Sequence, residues 1–120
     1  MKEFMYIFRN TLEAEETYAN LSPEEMEADM KKWNDWMGWL AQQDKLIGGQ
    51  PLFPGGKVLR TSSRKVTDGP FTEGKDIVGG YLLIKAKDYA EAIDLSKGCP
   101  MFDAPDASVE VREIMPVPQE

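Results

Sequence analysis

The side chains best suited to chemistry gather around one sterically restricted loop. Val66-Thr67-Asp68-Gly69-Pro70-Phe71-Thr72-Glu73-Gly74-Lys75 joins a short strand-like stretch to a long apolar one that opens after Asp76. Asp68 is the carboxylate fixed beside a glycine and a proline. At the mouth of a cavity, burial would raise its pKa and equip it as a general base or as an acceptor for a ligand. The same carboxylate readily bonds the backbone two residues on, and closure of an Asp-Gly-Pro turn accounts for it without any reaction. The turn is the favoured reading. Phe71 is placed to pin the loop to the core. Glu73 and Lys75 follow at a spacing that sets them at the same mouth, or leaves them solvated and paired with each other. Further off, Arg9 ends the first strand, and Glu110 and Arg112 alternate with Val109 and Val111. Lining a polar interior, Arg9 or Arg112 would bind an anionic substrate. At a solvated sheet edge the same residues make Arg9–Glu110 or Arg112–Glu110 ion pairs, which is the plainer reading.

Composition removes several classes of chemistry. The 120 residues include no histidine, so serine–histidine and cysteine–histidine pairs are excluded, as are the usual histidine metal sites. The lone cysteine, Cys99, has no intrachain partner and stands at a helix C-terminus, where the dipole disfavours a thiolate. It reads as a small packing residue, and its isolation suits a reducing cytoplasm. A net charge of −7 with no basic cluster argues against direct nucleic-acid binding. The apolar run at the N-terminus is too short for a signal peptide, and none is long enough to span a bilayer. Gly48-Gly49, Gly55-Gly56 and Gly79-Gly80 form no phosphate-binding fingerprint and read as turns, bulges or close strand approaches. No metal or cofactor is expected.

The elements that must position these residues follow from periodicity. Lys2 to Arg9 alternates, with Phe4, Tyr6 and Phe8 on one face and Met5, Ile7 and Arg9 on the other, which predicts a central strand. Asn10 to Leu21 is acidic and shows no clear period, so it reads as a surface loop or one ragged turn. Ser22, Pro23 and Glu25 form a capping-box start. Met26, Met30, Trp33, Met37 and Leu40 then mark a helix to about Gln43, with Trp36 flanking the stripe and Trp39 well off it. Trp39 is either a partly exposed aromatic or a subunit contact. Lys45 to Leu52 reads as a strand. Val58 to Thr61 and Lys65 to Thr67 read as a small hairpin, and Gly80 to Lys87 as a second central strand. Asp88 caps a helix that places Tyr89, Ala92, Ile93 and Ser96 on one side, and Ser108 to Met115 is the last strand.

Two β-α-β units around an antiparallel sheet make an α+β, ferredoxin-like plait with a small hairpin insertion, in a single domain over residues 1–120. Both helices cover one face. The other face, apolar on its central strands, is expected to pack on a second copy of the chain as a homodimer.

Val66-Thr67-Asp68-Gly69-Pro70-Phe71 with Glu73, Lys75 and Gly79-Gly80-Tyr81-Leu82 resembles the YCII-related family, in its DGPF-domain branch. Leu21-Ser22-Pro23-Glu24-Glu25, Gly48-Gly49, Cys99-Pro100 and Val109-Glu110-Val111-Arg112 extend the resemblance along the chain. The resemblance implies a plait paired into a dimeric α/β barrel, with a cavity near the strand ends and an undefined biochemical role. Enzymatic function in YCII proteins proper is attributed to a histidine–aspartate pair, of which this chain lacks the histidine. Some relatives are attached to sigma-70-type transcription factors. The expectation is a small cytoplasmic domain that binds a small molecule, anionic if the arginines hold it, in a dimer cavity through Arg9, Asp68, Phe71, Glu73, Lys75 and Arg112. Any catalysis would run through Asp68. The alternative is a regulatory accessory domain that contacts another protein.

Overall fold

A computed structural model describes residues 1–69 and 76–118. The chain runs β1 (Lys2–Asn10), α1 (Leu12–Ala19), α2 (Pro23–Gln42), β2 (Leu46–Pro51), β3 (Gly56–Leu59) and β4 (Val66–Gly69). It continues through β5 (Ile77–Ala86), α3 (Tyr89–Ser96), a 3-10 turn over Pro100–Asp103, and β6 (Ser108–Glu113). The main sheet has the order β2-β5-β1-β6, and each neighbouring pair is antiparallel. This α+β arrangement is compatible with the expected plait. β3 and β4 form a separate two-stranded sheet, the expected hairpin, between β2 and β5.

Alternation along the central strands divides the sheet into two faces. Phe4, Tyr6 and Phe8 of β1 and Leu82, Ile84 and Ala86 of β5 turn to the helices and are buried. α2 answers with Trp36 and Leu40, and α3 with Ala92 and Leu95. Trp36 is therefore a core residue, seated where its indole N–H donates to the Leu95 carbonyl at 3.1 Å. The hydrogen bond satisfies the polar tip of an otherwise apolar ring, so burial costs little. Trp39 stays 47 % exposed. The capping box of α2 is present in both directions, Ser22 with Glu25.

Two expectations need correction. The stretch read as a loop contains α1, which Thr11 caps by accepting a hydrogen bond from the Ala14 amide. Its inward face carries Ala14, Glu15 and Tyr18, and a glutamate at the most buried of these positions erases the apolar period. On α3 the buried side is Ala92, Leu95 and Ser96, while Tyr89 and Ile93 are exposed. The small Ala92 lets the helix approach closely enough for the Tyr6 hydroxyl to donate to its carbonyl. Tyr89 instead covers the edge of Phe4, ring to ring at 5.0 Å, and accepts from the Glu113 amide.

Glycines let β2 and β5 come together. A Cβ on Gly49 would strike the Tyr81 carbonyl and lie 2.7 Å from the Leu82 Cα, so no larger residue fits there.

Candidate functional site

Of the described residues singled out by sequence, Arg9 and Arg112 share one partner, while Asp68 is engaged on the hairpin. Asp68 lies in β4 on the hairpin, opposite Lys57, with its side chain 71 % exposed and its carboxylate bonded to the Lys57 ammonium. It is a strand residue in a cross-strand ion pair, and the Asp-Gly-Pro turn it was expected to close runs on into residues outside those described. Phe71, Glu73 and Lys75 lie outside the described residues. Arg9 and Arg112 meet on the sheet face away from the helices, where both guanidinium groups bind Glu110, at 3.1 and 3.2 Å. Arg9 also reaches Asp76 at 3.9 Å. The Glu110 carboxyl is held below its usual range, first by the Arg112 hydrogen bond and then by that of Arg9. This is the ion-pair reading, and it leaves neither arginine uncommitted. Cys99 is buried, and burial pushes its thiol up to about 12, so a thiolate is unavailable near neutral pH.

A concave site lies on the other side of the sheet. A cavity of about 400 Å³ opens between α1, α2, the β2–β5 edge and the 3-10 turn. Phe8, Met30, Trp33, Met37, Leu82 and Met101 give it an apolar wall. Trp33 stands edge-on to Phe8, with ring centroids 5.1 Å apart, which fixes both rings.

Into this wall two helices bring carboxylates. Glu15 comes from α1 and is only 9 % exposed. Burial raises its pKa, with no hydrogen bond or cation acting in the other direction. The carboxylate rests directly over Gly79, where a Cβ would overlap Oε1. Here the β1–β5 register slips between Phe8 and Arg9, and Gly79 is the extra residue of a bulge between Val78 and Gly80. The glycine pair Gly79-Gly80 thus makes the space in which Glu15 sits. Asp29 comes from α2, and its Oδ2 is buried with no hydrogen-bond partner. Tyr18 stands near both acids. Its hydroxyl, which donates to Met30 Sδ at 3.6 Å, has its pKa raised by burial, then by the Asp29 charge and hydrogen bond, and last by Glu15. At the rim Lys32 pairs with Asp103 at 3.8 Å, both well exposed.

Sequence reasoning missed all three of Glu15, Tyr18 and Asp29. The first two were hidden by the unrecognised helix. Asp29 carried a legible signal, because Met26, Asp29, Trp33, Trp36 and Leu40 recur at three, four, three and four residues. A carboxylate on the apolar face of a strongly capped helix is costly unless something offsets it.

No curated protein sequence matches the chain. A family model does: that of the YCII-related domain, over residues 4–118, which takes in every strand and helix from the first core phenylalanine onward. The chain belongs to the YCII-related domain family.

Proposed function

We propose that this YCII-related domain binds a small molecule in the cavity between α1, α2 and the sheet. The observation that carries the reading is the buried, unpartnered Glu15 carboxylate beside the enclosed Asp29 Oδ2, in an apolar recess of about 400 Å³. Recesses of that size, apolar with a few polar groups, are what small-molecule sites look like. An anionic ligand held by Arg9 and Arg112 has less in its favour, because both arginines are engaged by Glu110 on the opposite face. Catalysis through Asp68 likewise has less in its favour, since its carboxylate is exposed on the hairpin and paired with Lys57. The buried Cys99 thiol is in keeping with a reducing compartment such as the cytoplasm. No helix among the described residues is long and apolar enough to cross a membrane.

The test is a fragment screen read by thermal shift and ligand-observed NMR on the wild type, Ala14→Trp and Asp68→Asn. Ala14 lines the cavity, and a tryptophan there fills it. Hits are expected to disappear in Ala14→Trp and to persist unchanged in Asp68→Asn. Hits that survive the filled cavity refute the site, and hits lost with Asp68→Asn return the function to the hairpin.

A further inference from the structure

We propose that the Glu15–Asp29 end of the cavity is an ammonium subsite, and that the ligand is a compact apolar molecule carrying one protonated amine. The inference rests on the cavity being the binding site and adds the chemical class of what enters it.

Glu15 is nine-tenths buried, lines the cavity, and is backed by a glycine whose missing side chain is the only thing that makes room for it. Asp29 Oδ2 is enclosed and unpartnered. A buried carboxylate oxygen left without a donor is expensive, so the Glu15 carboxylate and Asp29 Oδ2, both unsatisfied beside Tyr18 in an apolar recess, call for a donor from outside the chain. Among the described residues the charged groups around them supply none. On α2, Lys32 is engaged at the rim with Asp103 of the 3-10 turn. Arg9 of β1 lies on the far face of the sheet, bound to Glu110. Tyr18, the neighbour on α1, divides its single hydroxyl proton between Met30 and Asp29, which leaves Asp29 Oδ2 and the whole Glu15 carboxylate without a donor.

The rest of the lining decides among donors. A hard divalent cation wants six or more oxygens, and no group of three or more acidic side chains able to hold a metal occurs among the described residues. Aromatic faces beside a carboxylate pair favour an ammonium group, which gains both charge pairing and cation–π attraction. A carboxylate ligand would meet like charge. A neutral alcohol could donate one hydrogen bond but would leave the second acid unsatisfied. The apolar wall of Phe8, Trp33, Met37 and Leu82 then takes the body of the ligand.

Three near-isosteric probes separate the possibilities: tryptamine, tryptophol and indole-3-propionate, titrated calorimetrically at low salt near pH 8. Tryptamine is expected to bind at least about tenfold more tightly than tryptophol, with indole-3-propionate the weakest. In the double variant Glu15→Gln, Asp29→Asn the amine's advantage should fall to within about threefold, while tryptophol affinity stays as it was. On the wild type the advantage should grow as pH rises above the ordinary carboxylate range and Glu15 loses its proton, a readout that stands even if the double variant does not fold. Tryptophol or indole-3-propionate binding as tightly as tryptamine overturns the ammonium subsite and leaves the cavity reading intact. Absence of binding by all three, with fragment hits still blocked by Ala14→Trp, also overturns the amine class alone. Probes that bind equally well to Ala14→Trp overturn the cavity and the subsite with it.

Discussion

At the scale of single residues the informative group is Glu15, because its cost to the fold has a sign that can be measured. Its pKa in the folded chain is raised by burial, so folding favours the protonated form. The stability it allows is complete below the ordinary carboxylate range and is lost as pH rises through the folded pKa. Glu15→Gln mimics the protonated acid at every pH. The variant is therefore expected to match the wild type near pH 4 and to melt higher at pH 7, by about 2–5 °C, as measured by calorimetry across the pH range. A variant that melts lower at pH 7 would mean that the carboxylate is stabilised by partners inside the protein, contrary to its lack of them. Residues of this kind are poorly legible in sequence. Asp68 stood out because glycine and proline framed it, yet the fold spends it on an exposed pair with Lys57. Glu15 looked like one more acid among Glu13, Glu15 and Glu16, since burial is a property of the packed chain and not of local composition.

At the scale of elements, legibility followed apolar periodicity. α2 was readable from its capping box and its methionine and tryptophan spacing, and β1 and β5 from residues apolar on both faces. α1 was not, because the site residue itself replaced the apolar contact that would have revealed the helix. That makes α1 the weakly held wall of the cavity. It has eight residues, an N-cap and a tyrosine hydroxyl on Met30, whereas α2 is anchored by fully enclosed Leu40 and nearly enclosed Trp36. Short helices with little apolar burial open independently of the core. Thr11→Ala should cost about 1 kcal/mol through the lost cap and should speed amide exchange over residues 12–19 selectively. Ser22→Ala removes comparable capping chemistry from α2 and should lower global stability without creating a locally exchanging segment. Uniform exchange at the global rate in Thr11→Ala would show that α1 and the sheet open together.

At the scale of the whole molecule, the sheet face opposite the helices remains to be covered. Met5 pairs with Leu83 and Ile7 with Tyr81 across β1 and β5, outside the buried core and with no helix over them. Four strands of about six paired residues span roughly 19 by 20 Å, a projected area of about 400 Å². A stable interface takes about 800 Å² from each partner. The sheet face alone falls short, and the hairpin offers the rest. Phe53, 88 % exposed just before β3, joins Leu59 and Val66 as apolar residues that make no core contact. The radius of gyration, 15.9 Å, exceeds the roughly 14 Å of a compact chain of this length, as an outlying arm requires. A homodimer that packs sheet to sheet, with each hairpin reaching across to its partner, accounts for both surfaces. Sedimentation velocity at micromolar concentration is expected to give a dimer for the wild type. Ile7→Glu should give a monomer, and Phe53→Ser with Leu59→Ser should weaken association at least about tenfold while leaving the monomer folded, because those side chains support nothing within it. A monomeric wild type sinks the dimer outright. A dimer indifferent to the hairpin changes would confine the contact to the sheet and leave the arm free for another protein, the surface that a regulatory accessory domain would need.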